Sequence, residues 1–551
     1  GGVLYMKMIQ NPILPGFNPD PSIVRAGDDY FIAVSSFEWF PGVPIYHSRD
    51  LVNWRLIGHA LTSKEYLDLT GEEPSKGVWA PALSYNEKEK RFYLVYSNVH
   101  CQNPWFFDVD NYLIWTDDIM KGEWSKPVYL NSSGFDPSLF HDDDGRKWLI
   151  NKDRDFRPGR MDDRSIVIQE YDLETNTLIG EPVIISKGAT KRGFVEGAHI
   201  FKHNGMYYLI TAEGGTGYGH CVAISRSKSI TGPYEPDPKN PIITSAAWEF
   251  TASETAPYMM PELCNPEAGV QKAGHGSLVE TQNGEFYMAH LCARPILPQR
   301  RCYLGRETAL QKMVWTDDGW LRMADGSNIA KASCPAPDLP EHPFPAEDPV
   351  SDFDGGYLSP HFCAPREPIT PNWADLTSRD GYLRLRGRES LTSTYDVSLV
   401  ARRVTSFKGK VVTKLEFSPE RYHHMAGLAV YYNCYNHYAL YKTFDEELGE
   451  CIAAYLYSEN TLRQLCVPIK VPKGQPVWLR ADIDGPSLTL SYSLDGESYT
   501  SIGLPFDMTL LADEYDRQMF TGSFVGMFAC DLHTRSVWAD FDFFEYRDLS
   551  E

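Results

Sequence analysis

Four side chains able to hold or pass a proton, Asp20, Asp136, Glu196 and His275, head segments that resemble one another although they are spread over the first half of the chain. Asp20-Pro21-Ser22-Ile23 precedes Tyr30-Phe31-Ile32-Ala33-Val34, and Asp136-Pro137-Ser138-Leu139 precedes Lys147-Trp148-Leu149-Ile150. Glu196-Gly197-Ala198-His199-Ile200 precedes Tyr207-Tyr208-Leu209-Ile210, and His275-Gly276-Ser277-Leu278 precedes Glu285-Phe286-Tyr287-Met288-Ala289. Carboxyls brought to one place can divide the labour of hydrolysis, one giving a proton to a leaving oxygen while another, ionised, activates water. Each Asp-Pro-Ser taken alone also reads as a plain turn, because Asp and Ser bond their own backbone and Pro fixes the bend. Recurrence at matching positions, with a Glu and a His in the same column, favours a site.

A repeat is what must position them. A fifth copy, Ala80-Pro81-Ala82-Leu83 before Phe92-Tyr93-Leu94-Val95-Tyr96, places Trp79 in the column. Ile23, Leu83, Leu139, Ile200 and Leu278 lie 60, 56, 61 and 78 residues apart, room for about four short strands per unit. Gly27-Asp28, Asp144-Gly145, Asn204-Gly205 and Asn283-Gly284 are the dipeptides of tight hairpins. Five units of this size predict a five-bladed β-propeller, in which the heads of the innermost strands converge on the axis. Thr251 to Lys272, which lengthens the last interval, reads as a loop inserted near the site entrance.

Composition agrees with an all-β chain that handles a neutral ligand. Tyr, Phe and Trp make up 13% of 551 residues, which favours strands. A formal net charge of −22 opposes binding to nucleic acid or to an anionic membrane. Eleven cysteines without a CxxC pair read as reduced thiols. No apolar run reaches the length of a transmembrane helix, and Gly1 to Met6 lacks the core of a signal peptide and reads as a cloning scar. A cytoplasmic location is the expectation.

Through Asn11-Pro12-Ile13-Leu14-Pro15-Gly16-Phe17-Asn18-Pro19-Asp20-Pro21-Ser22, Gly77-Val78-Trp79-Ala80-Pro81, Gly134-Phe135-Asp136-Pro137-Ser138-Leu139, Val195-Glu196-Gly197 and Leu304-Gly305-Arg306-Glu307-Thr308, the chain resembles the two-domain β-xylosidases of glycoside hydrolase family 43. The resemblance implies a five-bladed propeller followed by a β-sandwich. It implies Asp20 as general base, Glu196 as general acid and Asp136 as the residue that orients and tunes the acid, in an inverting reaction. Inversion predicts about 6.5 to 9.5 Å between the Asp20 and Glu196 carboxyls, an acid with raised pKa, and a wet, ionised base. Arg306 looks like the family arginine that bonds sugar hydroxyls and holds the carboxylates charged, or else a surface ion pair. Phe37 and Trp79 are candidate platforms for a pyranose or ordinary core aromatics, and Thr216 is a candidate donor to the sugar. Gly215-Thr216-Gly217-Tyr218-Gly219 mimics a dinucleotide fingerprint, but no βαβ pattern surrounds it and it reads as a loop. The equivalent of His275 in some relatives helps hold a central calcium through water, and in others contacts substrate or packs. One imidazole makes a poor calcium site, so no cofactor is required on this reading and calcium is left open.

Five prolines between Pro335 and Pro345 mark a stiff connector. The reading is thus an N-terminal extension over 1–8, the propeller over 9–331, a linker over 332–350 and a jelly-roll or concanavalin-like sandwich over 351–551. Ala539, Phe541 and Phe543 alternate with Asp540 and Asp542, and Leu488, Leu490 and Tyr492 lead to an Asp495-Gly496 turn. Tyr422-His423-His424 lacks partners at metal spacing and reads as surface. The sandwich is expected to wall the pocket, with Phe524 reaching the propeller mouth unless it is a strand aromatic of the sandwich core. The activity expected is release of xylose from the ends of β-1,4-xylo-oligosaccharides, with α-L-arabinofuranosidase side activity, by a dimer or tetramer. A dedicated arabinofuranosidase or arabinanase, and a non-catalytic sugar-binding protein, are the rivals.

Overall fold

The computed structural model describes residues 7–103, 105–251, 259–516 and 520–550. Five antiparallel sheets follow one another in chain order, their innermost strands being Ser22–Ala26, Gly77–Asn86, Gly134–His141, Glu196–His203 and Gln271–Glu280. Each sheet runs outward in sequence order, the meander that short hairpins impose. Because successive strand residues face opposite sides, every blade offers apolar side chains to both neighbours. Five separate apolar clusters result, one at each junction. Ile23, Tyr30 and Ile32 of the first blade, for example, pack on Tyr287, Ala289 and Leu310 of the fifth, and Phe140, Ile150 and Ile168 of the third on Val195, Ala198 and Leu209 of the fourth. The aromatic strands of the repeat are the filling of these wedges.

The repeated tripeptide has a specific backbone. Asp20, Asp136 and His275 adopt left-handed φ angles of 56°, 53° and 59°, and ladder register shifts fall beside them, between Phe135 and Ser138 and between Gly274 and Ser277. Such a bulge re-aims a side chain out of the pleat, and here it turns the residue toward the axis. Two positions on, a serine ties adjacent blades: Ser22 Oγ accepts from Leu83 N (2.8 Å), Ser138 Oγ donates to Ala198 O (2.6 Å), and Ser277 Oγ accepts from Ile23 N (3.0 Å). In the second and fourth blades the left-handed residues are Ala80 (φ 37°) and Gly197 (φ 59°). Trp79 and Glu196 therefore stand one residue ahead of the column, a correction to the alignment above. A Cβ on Gly197 would lie 3.0 Å from His275 Nδ1, so the hub admits no side chain there.

The ring is closed by its ends. Met8–Gln10 pairs with Ser333–Pro335, inside the proline-rich stretch, and Asn11 exchanges side-chain hydrogen bonds with the Leu310 backbone (2.8 and 2.9 Å). Beyond it, among the described residues, a nine-stranded and a seven-stranded antiparallel sheet enclose a core that includes Leu415, Leu479, Leu488, Leu490 and Phe541. The alternation expected to run on through Phe543 breaks: a bulge opposite Thr413 and Leu415 brings Phe544 and Tyr546 inward and leaves Phe543 half-buried. His424, expected at the surface, is buried in a strand, where its Nδ1 accepts from Glu420 N (3.1 Å).

Sandwich and propeller share an apolar seam of Phe17, Phe37, Trp39 and Trp79 against Leu399, Phe520, Phe524 and Phe528. Ala364–Pro365 pairs with Trp39–Phe40, and Arg403 Nε donates to Phe17 O (2.6 Å). A fully buried Lys272 on the fifth inner strand lies 2.8 Å from Glu514 of the sandwich, whose carboxylate also accepts from Cys302 N (2.8 Å) and Tyr218 Oη (3.0 Å). Gly305 sits where a Cβ would be 2.1 Å from Thr521 O.

Candidate active site

A pocket of about 300 Å³ opens at the hub, lined by Asp20, Asp136 and Glu196 together with His275, Arg306 and Thr216. Its aromatic wall is Phe37, Trp79, Phe107, Phe135 and Phe520. Trp79 is fixed by its indole N–H, which donates to Ser75 O (2.9 Å), and meets Phe107, Phe135 and Phe520 edge-on at 5.9, 5.6 and 5.6 Å.

Asp20 is buried, not wet as expected, and its charge is secured by protein groups. Ser35 Oγ donates to Oδ2 (2.6 Å), while Arg306 Nη1 and His275 Nδ1 lie 3.7 and 3.6 Å from Oδ1. Burial pushes the carboxyl upward, but Arg306, His275 and Ser35 together outweigh it and hold the pKa below the usual value. Ser35 Oγ also accepts from Ala80 N (2.8 Å), so its proton is committed to Asp20. Burial pushes the His275 pKa below its usual value, against the pull of Asp20.

The other two carboxyls are driven the opposite way. Asp136 is raised well above the ordinary range by burial and by the charges of Glu196 and Asp20. Its Oδ2 accepts from Gly197 N (2.9 Å). Glu196, which lines the pocket, is raised to about 7, by burial first and by Asp20 and Asp162, against the lowering effects of Lys152 and Arg306. Two like charges this confined cannot both ionise near neutrality, so the pair retains a proton. Lys152, a buried lysine in the strand Lys147–Asp153, had no place in the sequence reading. Its Nζ donates to Asp162 Oδ1 (2.9 Å) and Met161 O (3.3 Å).

Arg306 is buried, not a surface ion pair. Nη1 donates to Thr216 Oγ1 (2.5 Å) and Nη2 to Phe520 O (3.1 Å). Since Thr216 Oγ1 accepts from arginine, its own hydrogen is left to point into the pocket. Phe524 does not reach the mouth: it is wholly buried, stacked on Trp39 at 3.7 Å and 13°. The sandwich ring that enters the pocket is Phe520, four residues earlier, because Phe524 opens a strand and is drawn into the sheet seam. Of the loop expected at the entrance, residues 252–258 lie outside the described residues.

The donor set does not fit a calcium centre. His275 faces His199 at 6.0 Å between rings, the Asp20 carboxylate beside it is engaged by Ser35 and Arg306, and no group of three or more His, Cys, Asp or Glu side chains among the described residues is placed to hold a metal ion directly. Calcium takes six to eight oxygens, and imidazoles do not supply them.

Comparison with known proteins agrees with this geometry. The profile of Glycosyl hydrolases family 43 matches residues 9–321, and that of the β-xylosidase C-terminal concanavalin A-like domain matches 350–547. The chain is 43% identical to a xylan 1,3-β-xylosidase of Vibrio sp, over 98% of this chain and 99% of that protein. It is 42% identical to xylosidase/arabinosidase 43B of Humicola insolens, over 99% and 98%. The crystal structure of a xylan β-1,4-xylosidase from Bacillus halodurans superimposes with a TM-score of 0.92 at 48% identity, covering 98% of this chain and all of the other. Arrangement and ancestry coincide: the chain belongs to glycoside hydrolase family 43 and is a glycosidase, a five-bladed β-propeller closed by a concanavalin-like β-sandwich.

Proposed function

We propose that the chain is an inverting exo-β-xylosidase that releases xylose from the non-reducing ends of β-1,4-xylo-oligosaccharides. The observation that carries this reading is the opposed protonation of carboxyls within one pocket: Asp20 is held ionised while Glu196 is raised to about 7. Water attacks the anomeric carbon from the Asp20 side, and Asp20 takes its proton. The bond to the leaving oxygen breaks on the other side as Glu196 delivers a proton there. Asp136 shares a site with Glu196 and tunes it, its Oδ2 held by the Gly197 amide. Arg306 stabilises the base, and the Thr216 hydroxyl donates to a sugar hydroxyl. Phe520 closes one side of the pocket, so a chain end enters rather than a chain middle.

Fresh product examined by proton NMR should be α-xylose, and Asp20→Asn and Glu196→Gln should each lower turnover by at least about a thousandfold with the fold retained. β-Xylose appearing first, or wild-type rates in either variant, would defeat the assignment. A second reading, α-L-arabinofuranosidase activity in the same pocket, draws on the xylosidase/arabinosidase relative, and paired nitrophenyl glycosides measure it. The Vibrio relative is named for 1,3-linked xylan, so 1,3- and 1,4-linked xylobiose belong in the same assay. We further infer a cytoplasmic location, supported by eleven unpaired cysteines, and a division between the domains over 332–350.

A further inference from the structure

We propose that Phe106 and Phe156, stacked on each other at the rim of the pocket, form a binding platform for xylose units beyond the one that adjoins the cleaved bond. The proposal rests on the exo-xylosidase reading. The two rings are 5.0 Å apart with 22° between their planes, yet they stay 52% and 50% exposed. Aromatic side chains of this size are normally buried, and a pair held together but left open to water is surface with a use.

Both rings are held in place by their own loops. Asn103 Oδ1 accepts from Trp105 N (2.9 Å) and Phe106 N (2.8 Å), and Asn103 N donates back to Phe106 O (3.1 Å). On the facing loop the buried Asp155 accepts from Arg157 N (3.0 Å) and Nε (2.9 Å) across Phe156. Residues close to both rings in the chain line the pocket, Asn103 and Phe107 on either side of Phe106 and Arg154 two residues before Phe156. Arg154 lies over the Phe107 ring at 4.9 Å, and Phe107 stacks on Phe135 at 5.3 Å and 19°. Phe107 and Phe135 line the pocket beside the amides of Gln102 and Asn103, and the exposed pair adjoins them along the chain, Phe106 directly preceding Phe107.

That alternation suits a pentopyranose chain. Xylose carries no hydroxymethyl arm, so its ring presents a flat face of C–H bonds for stacking and a rim of hydroxyls for amides and guanidinium. With a non-reducing end seated at the carboxyls, the rest of the oligosaccharide has to leave through the mouth, where Phe106 and Phe156 stand.

The test is kcat/KM of the wild type, Phe106→Ala, Phe156→Ala and the double variant on 4-nitrophenyl β-xyloside, xylobiose, xylotriose and xylotetraose. The nitrophenyl glycoside and xylobiose should be cleaved equally well by all four proteins. Xylotriose and xylotetraose should lose about five-fold in the double variant, through KM and not kcat. An unchanged tetraose-to-biose ratio overturns the platform. If that result came with a lower mass by light scattering, the rings would instead belong to a contact between copies of the chain. A wild type unable to cleave xylobiose or the nitrophenyl glycoside would remove the exo-xylosidase reading itself, and the platform with it.

Discussion

Replacing Lys152 by Met keeps the aliphatic stem and deletes the one lysine charge that holds Glu196 down. If Glu196 is the acid, it must be protonated to act, so activity falls as pH rises through its pKa of about 7. A unit charge at roughly 6 Å and an effective dielectric of about 20 contributes roughly 3 kcal/mol, or about two pKa units. Lys152 is itself paired to Asp162 at 2.9 Å, and its loss leaves that carboxylate negative, which adds to the shift rather than cancelling it. The sign is therefore unambiguous: the alkaline limb of log kcat/KM against pH should move upward by about one to two units, while the acid limb, set by Asp20, stays in place. A pH series on 4-nitrophenyl β-xyloside reads both limbs, with circular dichroism as a check on folding. A downward or absent shift of the alkaline limb refutes the role of Glu196 as acid, or that of Lys152 as its electrostatic partner.

Glu196→Gln should raise thermal stability above neutrality. The folded pKa is raised, so the wild type is fully stable on this account below the unfolded value near 4.5 and loses stability as pH rises through about 7. Glutamine removes that loss, by about 2 to 3 kcal/mol at pH 8, and melting curves at pH 4 and pH 8 should separate only at the higher value. Phe520→Ala should raise KM for xylobiose with a small change in melting temperature, whereas Phe524→Ala should cost about 3 to 5 kcal/mol of stability with KM preserved; the opposite pairing would restore Phe524 to the mouth. Lys272→Met leaves Glu514 and Asp513 buried without their cation, and about 3 kcal/mol of stability should be lost in denaturant titration.

The hub was legible in the sequence because it is repeated: Asp20, Asp136 and His275 take equivalent left-handed positions, and each stands two residues before a serine that bonds the neighbouring blade. Side chains whose role depends on a single local geometry were not. Glu196 and Trp79 are offset by one residue because Gly197 and Ala80 take the left-handed position; that these two stand three residues before Ile200 and Leu83, as Asp20 does before Ile23, was the signal overlooked. Phe520 and Phe524 lie in one short stretch, and which of them faces the pocket depends on where the strand begins. Phe543 was misplaced because a bulge reversed the alternation after Phe541. Lys152 left a signal that went unread, a lysine two residues after the run Trp148-Leu149-Ile150, which is tolerated in the interior because Asp162 pairs with it.

The pocket draws its base from residue 20 and one of its walls from residue 520, whose carbonyl accepts from Arg306 and whose amide donates to Ser75. Domains emerge from the ribosome in order and fold as units, so the ring can close while the sandwich is still being made. A nascent hydrolase of this design stays unfinished until residue 520 has been made and seated. By the same logic, a protease that trimmed the C-terminal sheets would leave a ring with every carboxyl in place and no back to its pocket.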